Sequence, residues 1–151
     1  MAKLTWTVDM NTGVEVIDKQ HKKIVDYINQ LGEASRGNGN RELVAGVISN
    51  LVDYTVSHFA FEEALQKEAG YPFLKAHRKL HELFVRRVGE YQERFHQGED
   101  ITRELHRLMF NWLYGHIKNE DMDYVPSMQS IMAHQEEFVE SKKGLFGKLF
   151  G

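Results

Sequence analysis

Four stretches of the chain place apolar residues three, four and seven positions apart, and the alternation that builds strands is absent throughout. Such spacing makes amphipathic helices, each with one stripe to bury. In the first stretch the stripe is Ile17, Ile24, Val25, Ile28 and Leu31, ending before Gly37-Asn38-Gly39. The second runs from Arg41 to Ala69 through Val44, Val47, Leu51, Tyr54, Phe61 and Leu65, and stops at Gly70 before Pro72. The third starts near Pro72 and carries Phe73, Leu80, Phe84, Val88, Tyr91 and Phe95 inward until Gly98. The fourth shows Ile101, Leu105, Leu108, Met109, Trp112 and Leu113, with Asp100 as its N-cap. Short glycine-containing turns between four such helices predict an all-α, up-down-up-down antiparallel four-helix bundle, because each stripe needs the others for its burial.

With 151 residues the chain is read as one domain, residues 1–151, large enough to fold around a single core. Residues 1–16, with Trp6, Val14 and Val16, are expected to form an arm packed on a bundle spanning 17–125. Residues 126–151 are expected to hold a short helix, from Ser127 to Ser141, and then a glycine-broken tail, KKGLFGKLFG, expected to be mobile. A net charge of −3 gives no basic footprint for nucleic acid, and no apolar run is long enough to span a membrane. A soluble, cytoplasmic monomer is the expectation. The chain has no cysteine, so any metal must be held by nitrogen and oxygen.

Eight histidines are the compositional oddity, and several fall inside the apolar stripes. His21 lies on the first, His58 and Glu62 on the second, His77 and His81 on the third, and His116 at the end of the fourth, with Asp121 five residues further on. An imidazole or carboxylate buried without a partner costs several kcal/mol, so this many in one small core demand mutual hydrogen bonds or a shared cation. Residues four apart share a helix face, so HRKLH offers two imidazoles to one ion, and HFAFE an imidazole and a carboxylate. His96, His106 and His134 have no paired ligand at that spacing and are expected at the surface or only partly buried. For the carboxylate after His116, ideal helix geometry favours Glu120, four residues on, over Asp121, which is rotated away by about 140°.

DKQH at 18–21, HFAFEE at 58–63, KAHRKLH at 75–81 and WLYGHIKNED at 112–121 resemble the motif blocks of the hemerythrin family over roughly residues 6 to 125. The resemblance implies two iron ions: one held by His77, His81 and His116, the other by His21 and His58. Glu62, Asp121 and an oxo or hydroxo oxygen would bridge them. It selects Asp121 over Glu120, which requires a wide turn or a helix end between Gly115 and Asp121. These ligands supply all but one of the positions around two octahedral ions, leaving an open position on the His21 and His58 iron where molecular oxygen would bind reversibly.

An oxygen carrier, store or sensor is therefore expected rather than an enzyme. The alternative is a di-iron oxidase or peroxidase, or a nitric oxide-reactive protein, using the same site. Ferritin-like oxidases carry four glutamates and paired Glu-x-x-His motifs, and no Glu-x-x-His is expected to serve here. Zinc also accepts nitrogen and carboxylate ligands, but a linked pair with one open position suits iron better. Glu63 turns about 100° from Glu62 and is read as solvated or hydrogen-bonded to a ligand. Gln66 departs from the family pattern, which has a methionine there. Its amide either hydrogen-bonds Glu62, a histidine or a trapped water beside the irons, or turns to solvent at the bundle edge.

Overall fold

The structure is a computed structural model describing residues 3–36, 40–128 and 134–150, with side chains at all of these except 119–122. Four long helices follow the four stripes: α1 (Glu15–Arg36), α2 (Arg41–Ala69), α3 (Leu74–His96) and α4 (Thr102–Gly115). They form the antiparallel four-helix bundle. Helix α1 packs between α2 and α4, and α2 packs on α3. Rings on α3 and α4 close the fourth side, where Phe84 stacks on Trp112 with centroids 3.7 Å apart. No strand occurs among the described residues.

Local chemistry sets the ends. Asn40 caps α2 by accepting the Leu43 N–H at 3.1 Å. Gly70 ends α2 in the left-handed region at φ 70°, so that its own N–H and that of Tyr71 can satisfy the carbonyls of Lys67 and Gln66. The Asp100 carboxylate accepts the Thr102 N–H at 3.2 Å, one residue ahead of the Ile101 N-cap position.

The third stripe is narrower than the sequence suggests. Only His77, His81, Phe84, Val88 and Phe95 of α3 are buried, whereas Phe73 and Leu80 are exposed. Phe73 precedes the first turn, because the chain is still turning through Pro72, and Leu80 sits about 60° off the His77 line.

The N-terminal arm crosses the bundle as an extended segment with one 3-10 turn, Val8–Met10. Leu4, Met10 and Val14 are buried, and Asn29 exchanges two 2.9 Å hydrogen bonds with the Leu4 backbone. Asp18 of DKQH anchors the arm to α1: its carboxylate accepts the Thr12 N–H and hydroxyl, both at 2.8 Å, and the Gly13 N–H at 3.1 Å.

The C-terminal segment packs on the bundle, contrary to the mobile tail expected from its glycines. Helix α5 (Gln135–Lys142) and a 3-10 turn, Gly147–Leu149, bring Phe138, Phe146 and Phe150 edge-on to Phe61 of α2, at centroid distances of 5.4, 5.7 and 5.5 Å. The glycines prevent one continuous helix, but three aromatic contacts and the buried Leu149 side chain fix the segment. The first part of the helix expected over Ser127–Ser141 is a 3-10 turn, Val125–Met128, and residues 129–133 lie outside the described residues.

Candidate metal centre

Glu62 lies at the middle of the bundle with no exposed surface, and five imidazoles from four helical segments converge on it. Its two oxygens divide them. Oε1 faces His77 Nε2 at 2.7 Å, His81 Nε2 at 3.2 Å and His116 Nε2 at 3.9 Å. Oε2 faces His58 Nε2 at 3.3 Å and His21 Nε2 at 3.8 Å. Two donor groups result, Glu62 with His77, His81 and His116, and Glu62 with His21 and His58, each with its ligand atoms within 4.8 Å of one another. Every one of these residues is buried.

Partners behind the histidines fix which nitrogen points inward. His81 Nδ1 lies 2.9 Å from Glu63 Oε2, and the other oxygen of Glu63 accepts Arg78 Nε at 2.8 Å. A carboxylate only accepts, so His81 Nδ1 carries a proton and Nε2 faces the centre. His58 Nδ1 similarly meets Gln20 Oε1 at 2.7 Å. Tyr124, fully buried, donates its hydroxyl to Glu62 Oε2 at 3.2 Å. Aromatic faces complete the walls: Phe59 stacks on His81 at 3.9 Å and Trp112 on His116 at 4.4 Å.

This donor set fits a cation. With Nδ1 protonated, a neutral His81 would point its Nε2 lone pair at Glu62 Oε1 and at His116 Nε2, both 3.2 Å away. Acceptors facing each other at that distance need a positive charge between them, either a proton or a metal ion. The electrostatics show the same demand. Burial alone would raise the pKa of Glu62, but hydrogen bonds from His116, His58, His77 and His81 outweigh it and hold the carboxyl well below its usual range. Burial would lower that of His81, yet hydrogen bonds to Glu62 and Glu63 raise it.

The wide turn that the family resemblance implied after Gly115 is a π-helix, His116–Asp121. Closing each turn from residue i to i+5 brings backbone position 121 to roughly 50° from the direction of 116, instead of the 140° of an α-helix. The Asp121 and Glu120 side chains themselves lie outside the description.

Gln66, one turn beyond Glu62, is fully buried, and neither its amide nitrogen nor its amide oxygen has a hydrogen-bond partner among the described residues. The solvent-facing alternative is thereby excluded. Glu63 is neither free nor simply solvated, since it joins Arg78 to His81. His96 and His134 are exposed, but His106 is buried, contrary to expectation. It fits because Gly32 on α1 has no side chain: a Cβ there would stand 3.2 Å from His106 Nε2. Burial first, and Arg36 nearby, lower the His106 pKa and keep it neutral. One Glu-x-x-His does occur, contrary to expectation, from Glu93 to His96, but both residues are exposed at the end of α3, away from the inward stripes.

Sequence reasoning passed over Gln20 and Tyr124. Gln20 had a signal, a polar residue three after Ile17 on a stripe reserved for apolar groups. Tyr124 had none, because its position depends on the π-helix before it.

Residues 12–128 match the Hemerythrin HHE cation binding domain. A bacteriohemerythrin of Pseudomonas aeruginosa is 51% identical over 142 residues, covering 94% of this chain and 90% of the relative. One from Stenotrophomonas maltophilia is 46% identical, covering 91% and 88%. The crystal structure of a wild-type hemerythrin superposes with a TM-score of 0.78 at 34% identity, covering 83% of this chain and 98% of the other. With both the sequence and the bundle matched over most of their length, the chain belongs to the hemerythrin family.

Proposed function

We propose that the protein is a single-domain, monomeric, cytoplasmic oxygen carrier, store or sensor that holds two iron ions and binds molecular oxygen reversibly at one of them. The observation that carries this reading is the partition of the imidazoles, three on Glu62 Oε1 and two on Oε2. A carboxylate whose oxygens face separate histidine groups suits a bridge between two ions. His77, His81 and His116 would hold one iron and His21 and His58 the other, with Glu62 and Asp121 shared between them. The π-turn removes the angular objection to Asp121 as the second bridge. Two irons held by these residues would supply the electrons for reversible oxygen binding.

The chain's own groups supply the conditions. Gln20 and Glu63 orient two imidazoles, Tyr124 donates to Glu62, and the rings of Phe59 and Trp112, stacked on His81 and His116, shield them from bulk water. The test is to reduce the iron-loaded protein without air, admit oxygen, remove it, and follow visible absorption through repeated cycles. Full recovery of the starting spectrum without net oxygen loss is expected. Stoichiometric oxygen consumption on each cycle would identify an oxidase instead.

A further inference from the structure

Helices α3 and α4 meet through large rings and leave between them an open groove of about 480 Å³. Arg87 and Tyr91 line it from α3, and Glu104, Arg107, Leu108, Asn111 and Trp112 from α4, with Glu104 paired to Arg94 at 3.1 Å. Residues 74–118 carry nine lysines and arginines against six acidic residues, an excess of three on a chain whose net charge is −3. The α3–α4 pair as a whole is therefore positive on a negative protein, and the groove itself carries two arginines against Glu104. Arg86, Arg87, Arg103 and Arg107 are all exposed, and none has an ion pair among the described residues, whereas Arg78 and Arg94 do. Arg107 lies in this groove, whereas Arg103, four residues earlier, lines a separate pocket beside Arg41 and Phe95.

Trp112 links this groove to the centre. The indole is half-buried at the groove and lies flat between two rings, Phe84 at 3.7 Å and 18°, and His116 at 4.4 Å and 14°. His116 Nε2 is in turn 3.2 Å from His81 Nε2. An edge of one ring thus faces the groove while its face covers an imidazole of the proposed iron site.

We propose that the α3–α4 groove is the docking site for an acidic one-electron donor protein, and that Trp112 passes its electrons to His116. The proposal rests on the di-iron reading. A carrier whose irons become ferric is inert until reduced. Two donor molecules each lose one electron, each ferric ion gains one, and no bond to the donor forms or breaks. Charge complementarity argues for a protein donor with a carboxylate patch, because such transient redox contacts are small and steered by opposite charge. The basic face supplies that steering and Trp112 supplies the short route inward.

The test uses iron-loaded, fully ferric protein and reduced plant-type ferredoxin as the acidic probe, with an uncharged hydroquinone as comparison. The second-order rate with ferredoxin should fall as salt rises, and fall about tenfold or more in Arg87→Glu/Arg107→Glu at low salt, with the hydroquinone rate changed less than about twofold. Trp112→Leu should slow the limiting rate of reduction at saturating ferredoxin, where binding no longer contributes, and Trp112→Phe should restore part of it, with the Kd for oxidised ferredoxin measured separately by calorimetry. The Kd itself should weaken about tenfold in the double arginine variant whether or not iron is present. That arm separates failure of the docking site from failure of the iron assignment. A salt-independent rate, or an unchanged Kd and rate in the arginine variant, would overturn the proposal. So would loss of the hydroquinone rate in the arginine variant with no ferredoxin binding, which would make the groove a small-molecule port.

Discussion

Phe61 is the anchor of the C-terminal segment, and the strength of that anchor can be worked from its ring contacts. The side chain is fully buried, so Phe61→Ala should cost about 3–5 kcal/mol. Phe146 and Phe150 each meet it nearly edge-on, at 5.7 Å and 90° and at 5.5 Å and 74°. Such pairs contribute about 0.5–1.5 kcal/mol each beyond area burial. A double-mutant cycle pairing Phe61→Ala with Phe146→Ala/Phe150→Ala should therefore give a coupling energy of about 1–3 kcal/mol, with losses less than additive. The cycle removes the chain-ordering cost of the tail, which is common to both arms and too large to sum. Urea unfolding of the four proteins at matched iron loading measures it. In a chain of this length each kcal/mol moves the Tm by about 2–4 °C, so Phe61→Ala alone should lower it by roughly 6–20 °C. Additivity within about 0.5 kcal/mol would refute the reasoning, because a free tail has no coupling to Phe61.

Removing the carboxylate behind His81 by Glu63→Ala should weaken iron binding about 10–100-fold in competition with a chelator, with Arg78→Ala giving a smaller loss. His77→Ala and His116→Ala should each lower iron content outright, by metal analysis. Replacing the unpartnered amide in Gln66→Met should slow autoxidation of the oxygenated protein at unchanged iron content, and equal decay rates at one pH and temperature would count against any role for that amide. The metal-free and iron-loaded proteins should differ in the sign of their pH dependence. The raised His81 pKa gives metal-free protein stability that is complete below about pH 6.5 and lost as pH rises through the folded value, and the depressed Glu62 pKa gives stability lost on acidification below about 4.5. Iron competes with those protons, so its affinity should rise with pH across the range where metal-free stability falls, as thermal melts and metal titrations would show.

Spacing alone carried the four helices, because a buried stripe repeats with the helix period whatever its neighbours are. The same spacing put His21, His58, Glu62, His77, His81 and His116 on facing stripes, and the structure brings those six together. What periodicity could not carry was set by tertiary fit. Leu80 lies on the margin of its stripe and is exposed because α3 buries so narrow a face. His106 is buried because Gly32, on another helix, leaves room for its ring. The tail is ordered by Phe61, more than 80 residues earlier, which no local pattern of glycines reveals. Over His116–Asp121 the α-helical period does not hold: a π-turn brings position 121 to roughly 50° from the direction of 116 while position 120 stays within roughly 35°, so the turn no longer disfavours residue 121.

Iron counting combined with electron paramagnetic resonance tests the central claim, a bridged pair of irons on Glu62, most directly. The fully oxidised, carefully loaded protein should hold two irons per chain and show almost no ferric signal, because two high-spin ferric ions sharing an oxygen bridge couple their spins to zero. One iron per chain, or two with the full signal of isolated ferric ions, would contradict it.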